Sequence, residues 1–124
     1  MRLSTATVSV VVLIAACQRP DDSGARLRSW FGIAGARTTA ELRTQLLAVF
    51  PPGSPREEVM GRFATAGVSK GGGTVSVGPS GRTVFLRTGG TQRAFVLREV
   101  ALTFFFGPDD RLIDIKVEEW RTGP

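Results

Sequence analysis

Few side chains in this 124-residue sequence could do chemistry. Histidine and tyrosine are absent, and Cys17 is the only cysteine. One cysteine cannot form an internal disulfide or a thiolate zinc cage, and histidine is the commonest general base and metal ligand. The acidic residues pair as sequence neighbours (Glu57–Glu58, Asp109–Asp110 and Glu118–Glu119), and neighbours on a strand point to opposite faces. We therefore expect no catalytic site, no metal site and no cofactor. The remaining candidate for chemistry is covalent modification of the Cys17 thiol.

Cys17 follows a segment typical of an export signal. Arg2 supplies a positive charge, and residues 8–16 are apolar except for Ser9. About ten apolar residues are too few for the ~20 that a membrane-spanning helix needs, but they suit the hydrophobic region of a secretory signal. The segment closes on Ile14-Ala15-Ala16-Cys17, which resembles the lipobox of bacterial lipoprotein precursors.

The lipobox resemblance implies a signal peptide over residues 1–16 and covalent diacylglycerol and acyl chains on Cys17. Two or three chains, at ~0.8 kcal/mol per buried methylene, hold a protein on a membrane stably. In enterobacteria-like sorting, an aspartate directly after the lipidated cysteine signals retention in the inner membrane. This chain has Gln18 at that position. We therefore expect an exported protein, lipid-anchored on the periplasmic face of the bacterial outer membrane. The alternatives are an ordinary secreted protein with a chance cysteine and a buried N-terminal strand.

The charge distribution limits the partners. Lysine and arginine together number 16 against 11 acidic residues, a net charge of +5, and the basic residues are spread along the chain. A nucleic-acid-binding surface would need a basic stripe with interleaved aromatics, so we expect no nucleic acid. The mild basic excess favours solubility and weak attraction to anionic lipid or cell-wall polymer.

Residues 17–37 are predicted to be the lipidated cysteine and a tether, because they begin with a polar Pro/Asp/Ser/Gly stretch. Twenty flexible residues reach about 25 Å, enough to clear the lipid headgroups. Arg26, Arg28, Trp30 and Phe31 interrupt this composition. One interpretation is a membrane-proximal foot, with aromatics at headgroup depth and arginines near phosphates. The alternative is that Trp30 and Phe31 fold back and cover one end of the domain.

Two helices are predicted at the start of a domain that spans residues 38–124. Thr38 and Glu41 have capping-box spacing, and proline at position 51 stops the apolar stripe that follows. A second capping box, Ser54-Pro55-Arg56-Glu57, places proline at the favoured first helical position. Gly67 is suited to end this helix in a left-handed conformation. Both helices are short and need a partner surface.

The second half of the domain predicts that partner surface. Alternating and β-branched residues indicate strands over Thr74–Val77, Thr83–Arg87, Arg93–Phe106 and Arg111–Trp120. The predicted fold is α+β, with two short N-terminal helices packed in two layers on a three- to four-stranded antiparallel meander.

Two segments resemble a known family. Gly53-Ser54-Pro55-Arg56-Glu57-Glu58-Val59 is similar to the G-[ST]-x-x-[DE]-[DE]-V start of the second helix in SmpA/OmlA (BamE-type) small outer-membrane lipoproteins. Residues 102–112 are similar to the closing hairpin of that family, and the same fold unit occurs in β-lactamase-inhibitor-like proteins. The resemblance covers about residues 38–120. It implies a non-enzymatic docking module, with a role in outer-membrane assembly or integrity.

Strand alternation predicts apolar residues on both faces of the last hairpin. If Phe104 and Phe106 face the helices, Phe105 faces away. The residues of the last strand predicted to face the helices are Ile113, Ile115 and Val117. The apolar residues left on the outer face are Phe105, Leu112 and Trp120. A solvated sheet face is seldom so apolar, so these three residues predict a docking surface for an envelope protein, unless residues 18–37 or the glycine-rich loop cover it.

These observations predict a membrane-anchored interaction or scaffold module of the cell envelope, with aromatic anchors on its sheet. A periplasmic ligand-binding or inhibitor module, acting on cell-wall polymer or on a secreted enzyme, is the alternative. A lipid-handling protein fits less well, because a cavity would consume much of so small a core.

Overall fold

The computed structural model of the chain describes residues 22–34, 38–89, 91–93 and 96–122. Cys17, the predicted signal peptide and the start of the predicted tether lie outside these residues. The helices are α1 (Asp22–Phe31), α2 (Thr39–Val49) and α3 (Arg56–Ala66). The strands are β1 (Thr74–Val77), β2 (Thr83–Arg87), β3 (Thr91–Arg93), β4 (Val96–Phe106) and β5 (Leu112–Thr122).

The strands form one antiparallel sheet in the order β1-β2-β4-β5, and β3 follows β2 along the same edge of β4. Arg87 pairs with Ala101, whereas Thr91 pairs with Arg98, so β3 is offset by one residue relative to β2. The predicted α+β class, with helices preceding an antiparallel meander, is confirmed. The single strand predicted over residues 93–106 is instead the end of β3 followed by β4.

Helix ends follow local signals. The Thr38 side chain accepts a hydrogen bond from the Glu41 N–H at 3.1 Å, as its spacing predicts. The Phe50 N–H closes α2 on the Leu46 carbonyl at 2.7 Å, immediately before the proline pair. Gly67 ends α3 in the left-handed conformation, with φ 73° and ψ 38°. These three predictions are confirmed because each depends on atoms only a few residues apart.

The capping box predicted at Ser54 does not form. α3 begins after Pro55, and its first turn receives no side-chain cap. The preceding connector runs beside the start of β5: the Gly53 N–H donates to the Leu112 carbonyl at 2.7 Å, and the Leu112 N–H donates to the Ser54 carbonyl at 2.8 Å. The connector, which turns at residues 52–53, is therefore held against the sheet, and the Ser54 hydroxyl donates to the Pro51 carbonyl instead.

The core lies between the helices and one face of the sheet, and four phenylalanines occupy its centre. The ring of Phe104 packs edge-on against Phe50 at 5.4 Å and Phe63 at 5.1 Å between centroids. Phe31 of α1 joins them, 5.2 Å from Phe50. Phe104 is fully buried, and the other three rings are at most 5% exposed.

Helix α1 belongs to this core. Trp30 and Phe31 are 8% and 5% exposed, and Leu27 and Ile33 are buried beside them. The interpretation of Trp30 and Phe31 as a membrane-proximal foot is therefore wrong, because buried rings cannot lie among lipid headgroups. The alternative, that they fold back onto the domain, is confirmed, and the folded body begins well before residue 38.

A β-bulge changes the faces of the last hairpin. Phe105 pairs with Asp114, but Phe106 pairs with Leu112, so Ile113 is the extra residue. An extra residue reverses the alternation of everything before it on the bulged strand. Leu112 is consequently 2% exposed in the core, and Ile113 is 60% exposed. The predictions that Leu112 lies on the outer face and that Ile113 faces the helices are both wrong.

Near its start, the free edge of β5 is covered by side chains from α2 and from β5 itself. The Arg43 Nε donates to the Ile115 carbonyl at 3.1 Å, and the Ile115 N–H donates to the Asp114 carboxylate at 2.8 Å. Arg43 and Asp114 also form an ion pair at 2.6 Å. Both backbone groups of Ile115 at this edge are thus satisfied, so no other strand can pair with them.

Asp114 gives this edge a pH dependence. The Ile115 N–H, and after it Arg43, hold the pKa of Asp114 below its usual value of 3.8. A carboxyl whose pKa falls on folding stabilises the protein above the unfolded pKa, and this contribution is lost as the pH falls through the folded value. We expect Asp114→Asn to lower the free energy of unfolding by at most about 1 kcal/mol at neutral pH, as exposed ion pairs do.

Urea denaturation across a pH series would measure this effect. The difference between the native chain and Asp114→Asn should shrink as the pH drops below 3.8. A difference that stays constant with pH would mean that the ionised carboxylate is not its source.

Candidate functional site

The outer face of the sheet is the face turned away from the core. Residues paired across neighbouring strands share a face, so the register assigns its members. Phe105 lies opposite Asp114, Phe85 opposite Thr103, and Trp120 opposite Glu99. Phe85 and Trp120 are 37% and 41% exposed. Within the described part of the chain, the outer face therefore presents the aromatic side chains of Phe85 and Trp120 to solvent.

Phe85 and Phe105 form one end of the outer face. Phe85 pairs with Thr103, and Phe105 stands two residues further along β4, so the two side chains are diagonal neighbours about 7–8 Å apart. Phe105 is half-buried. Phe85 is not among the residues predicted from the sequence, although the strand alternation that predicts an outward Phe105 applies equally to it. Val84 and Leu86 are fully buried on either side of it.

Trp120 forms the other end and is held in place by its neighbours. Its Nε1–H donates to the Glu118 carboxylate at 3.0 Å, and the Arg87 guanidinium lies 4.8 Å from its ring centre. Arg87 in turn donates from Nε to the Glu99 carboxylate at 3.0 Å, and Glu99 is only 6% exposed. A side chain fixed in this way loses little conformational freedom on binding, which suits an anchor for a partner.

Charges on the outer face are largely neutralised internally. Lys116 lies 2.9 Å from Glu118, and Arg87 pairs with Glu99. The Trp120 N–H, followed by Lys116, holds the pKa of Glu118 below its usual value of 4.5, so Glu118 is ionised at neutral pH. The outer face therefore carries no strong field of one sign, and its aromatics are the features that a partner would recognise.

The structure brings the predicted site residues only partly together. Phe105 and Trp120 share the outer face, but Asp114, the partner of Phe105, is six residues from Trp120 along β5, or about 20 Å at 3.3 Å per residue. Between them on β4, Ala101 is only 8% exposed, and it pairs with the charged residues Arg87 and Glu118 on its two sides. The site is therefore two aromatic ends separated by a polar middle rather than one compact cluster.

Arg26, predicted to lie near the membrane, joins α1 to the sheet. Its Nη1 donates to the Thr88 carbonyl at 2.6 Å. That carbonyl is free because the Val100 N–H donates to the Thr88 hydroxyl at 3.0 Å instead. Thr88 is fully buried, so Arg26 satisfies an acceptor that would otherwise be costly. Arg28, two residues further along α1, is exposed instead.

No group of three acidic, cysteine or histidine residues in the described ranges could hold a metal ion. No helix in the same ranges is long and apolar enough to span a bilayer. No family model, curated protein or solved structure matches this chain.

Proposed function

We propose that this protein is a bacterial envelope lipoprotein that docks a protein partner on the outer face of its sheet. The anchor is supported by the lipobox-like sequence that ends at Cys17, where acyl chains would fix the chain to a membrane. Gln18 favours the periplasmic face of the outer membrane as the location. The chain would act by binding and positioning its partner rather than by catalysis.

The observation that carries the proposal is the uncovered pair of aromatic ends on the outer face. Phe85 and Trp120 are more than a third exposed while much of the remaining apolar surface is packed into the core. Aromatic side chains that are already fixed by neighbours are the usual anchors of protein interfaces. The nearby polar residues, such as Lys116 and Glu118, would form a hydrated rim.

The proposed relation to BamE-type lipoproteins is consistent with this role. It rests on the motif at residues 53–59 and on the closing hairpin at residues 102–112. The order of two helices followed by a meander agrees with the family pattern, and α1 is an addition to it. A role in outer-membrane assembly or integrity is the finer proposal that this relation supports.

Phe105→Asp tests the docking surface. The charged side chain would have to be desolvated against an apolar partner, so we expect co-purification of the partner from detergent-solubilised envelopes to fall at least about tenfold. Phe105 is half-buried on the outer face, so the fold should persist, with a loss of up to about 1 kcal/mol because the new carboxylate lies opposite Asp114. Quantitative mass spectrometry of the isolated complexes measures the loss, and circular dichroism checks the fold.

Ala48→Asp is the matched control, because Ala48 is exposed on α2, away from the outer face. It adds the same charge and should leave co-purification unchanged. Equal recovery of the partner with both variants would remove the outer face from the proposal. The intact mass of the same samples tests the anchor separately: an unprocessed and unacylated amino terminus would refute the lipoprotein assignment even if docking persists.

A further inference from the structure

The start of β5 and the edge strand β1 differ in how their outward backbone groups are satisfied. At β5, the connector before α3 and the Arg43–Asp114 pair satisfy the outward backbone groups of Leu112 and Ile115. At β1, the Gly78 N–H donates to the Thr83 carbonyl at 2.9 Å. Because hydrogen-bonded and non-hydrogen-bonded pairs alternate in an antiparallel ladder, the N–H and C=O groups of residues 75 and 77 must point away from β2. None of the described residues hydrogen-bonds to these four groups.

β1 also lacks two of the features that normally protect an edge, charge and proline. Its sequence, Thr-Val-Ser-Val, contains no charge and no proline, and such an edge is a template for another strand. Val77 is 55% exposed although it lies on the core-facing side of β1, opposite the buried Val84. An open cleft of about 520 Å³ lies between β1 and α3, and its lining includes the apolar residues Met60, Val68 and Val75 together with Lys70.

We propose that β1 pairs antiparallel with β1 of a second copy of this chain, about a twofold axis at Ser76. In this register Val75 lies opposite Val77 of the second copy, and the reverse pair is generated by the axis. Both are outward-facing positions, so each pair exchanges two hydrogen bonds and all four free groups at each edge are satisfied. Ser76 then faces Ser76 of the second copy as a non-hydrogen-bonded pair.

The side chains of this arrangement favour a second copy as the occupant. Residues opposite each other share a face, so Val77 of one copy would lie beside Val75 of the other, at the open cleft. Val77 of each copy would thereby be covered by Val75 and the adjoining cleft of the other copy. β1 itself carries no charge, and the charged residue that lines the cleft is Lys70. With four residues from each copy, the interface is small, and we expect a weak, concentration-dependent dimer.

Disulfide trapping tests the register. Facing residues in a non-hydrogen-bonded pair have Cα atoms about 4.5 Å apart, within the range of a disulfide. Thr74 of the two copies would be about 13 Å apart, four residues at 3.3 Å each. Ser76→Cys in the full chain should therefore give at least about tenfold more disulfide between equivalent positions than Thr74→Cys. Both residues are exposed on the same face, and Cys17 is common to both samples.

Peptide mapping by mass spectrometry identifies which positions are linked, so disulfides that involve Cys17 are counted separately. Equal linkage at positions 74 and 76, or none at either, would overturn the proposed register and with it the proposal.

Val77→Lys tests the association itself. A lysine at this edge should raise the dimer dissociation constant at least about tenfold in sedimentation experiments. Ile113→Lys is the matched control, because Ile113 is 60% exposed near the opposite edge. This variant should leave association unchanged.

A chain that stays monomeric at every concentration overturns the proposal. If Val77→Lys alone then loses a co-purified protein, the edge belongs to an extended segment of that protein. Phe105→Asp should leave self-association intact, which separates this proposal from docking on the outer face.

Discussion

Replacing Phe31 by alanine is expected to lower the free energy of unfolding by about 3–5 kcal/mol, the range found when phenylalanine is removed from a packed core. Phe31 is 5% exposed. Its ring packs edge-on against Phe50 at 5.2 Å and lies 5.9 Å from Phe63. Its removal would leave a cavity between α1 and the two other helices. Urea denaturation of the full chain, followed by fluorescence of the buried Trp30, would measure the loss.

Arg28→Ala is the control for this prediction. Arg28 lies on the same helix but is exposed, so its replacement should change the free energy of unfolding by no more than about 0.5 kcal/mol. Equal stability of Phe31→Ala and Arg28→Ala would mean that α1 does not unfold together with the rest of the domain. The tether interpretation of residues 17–37 would then regain support over the packed helix.

The sequence contains a helical pattern of apolar residues for α1, although the polar composition of the segment is typical of a linker. Leu27, Trp30 and Phe31 have the spacing of one helical face, and their burial shows that this face is used. The polar residues that open the segment favour a linker, and the helix is too short to be stable alone. Its formation depends on the aromatic core of the other helices, which local pattern cannot reveal.

Local sequence signals predicted the helix ends correctly where no long-range contact competed with them. The one predicted cap that does not form lies where the backbone pairs with a distant strand. Thr38 and Gly67 act on backbone groups within four residues, so their roles follow from spacing alone. Ser54 has equally good spacing, but its carbonyl is bonded by Leu112, almost sixty residues away in sequence. A contact at that separation outcompetes the local cap, and no feature of the capping box indicates it.

The candidate site was predictable to the extent that strand alternation was unbroken. Phe105 and Trp120 lie on the same side of the bulge and share the outer face as alternation predicts. Leu112 precedes the bulge and faces the core. The turn after β4 could close in either register, and the buried side of Leu112 is chosen by its contacts with the core and by the connector before α3.

Gly89→Ala is expected to be as damaging as the loss of a core phenylalanine, although it adds only a methyl group. Gly89 lies between β2 and β3 with φ +81°, where any other residue is strained by about 1–2 kcal/mol. A Cβ here would also stand 2.5 Å from the Gly72 carbonyl oxygen and clash with the Arg26 guanidinium. Overpacking of this kind adds about 1–3 kcal/mol, and it would displace the arginine that satisfies the buried Thr88 carbonyl.

Gly81→Ala separates the two causes. Gly81 has nearly the same backbone conformation, φ +74°, but a Cβ there would meet nothing within 4 Å. It should therefore show the conformational cost alone, about 1–2 kcal/mol, whereas Gly89→Ala should lose that amount plus the cost of the clash. Urea denaturation of both variants beside the native chain gives the difference. Equal losses in the free energy of unfolding would show that Arg26 can move aside at no cost in stability. The junction of α1 with the sheet would then not depend on the close approach at Gly89.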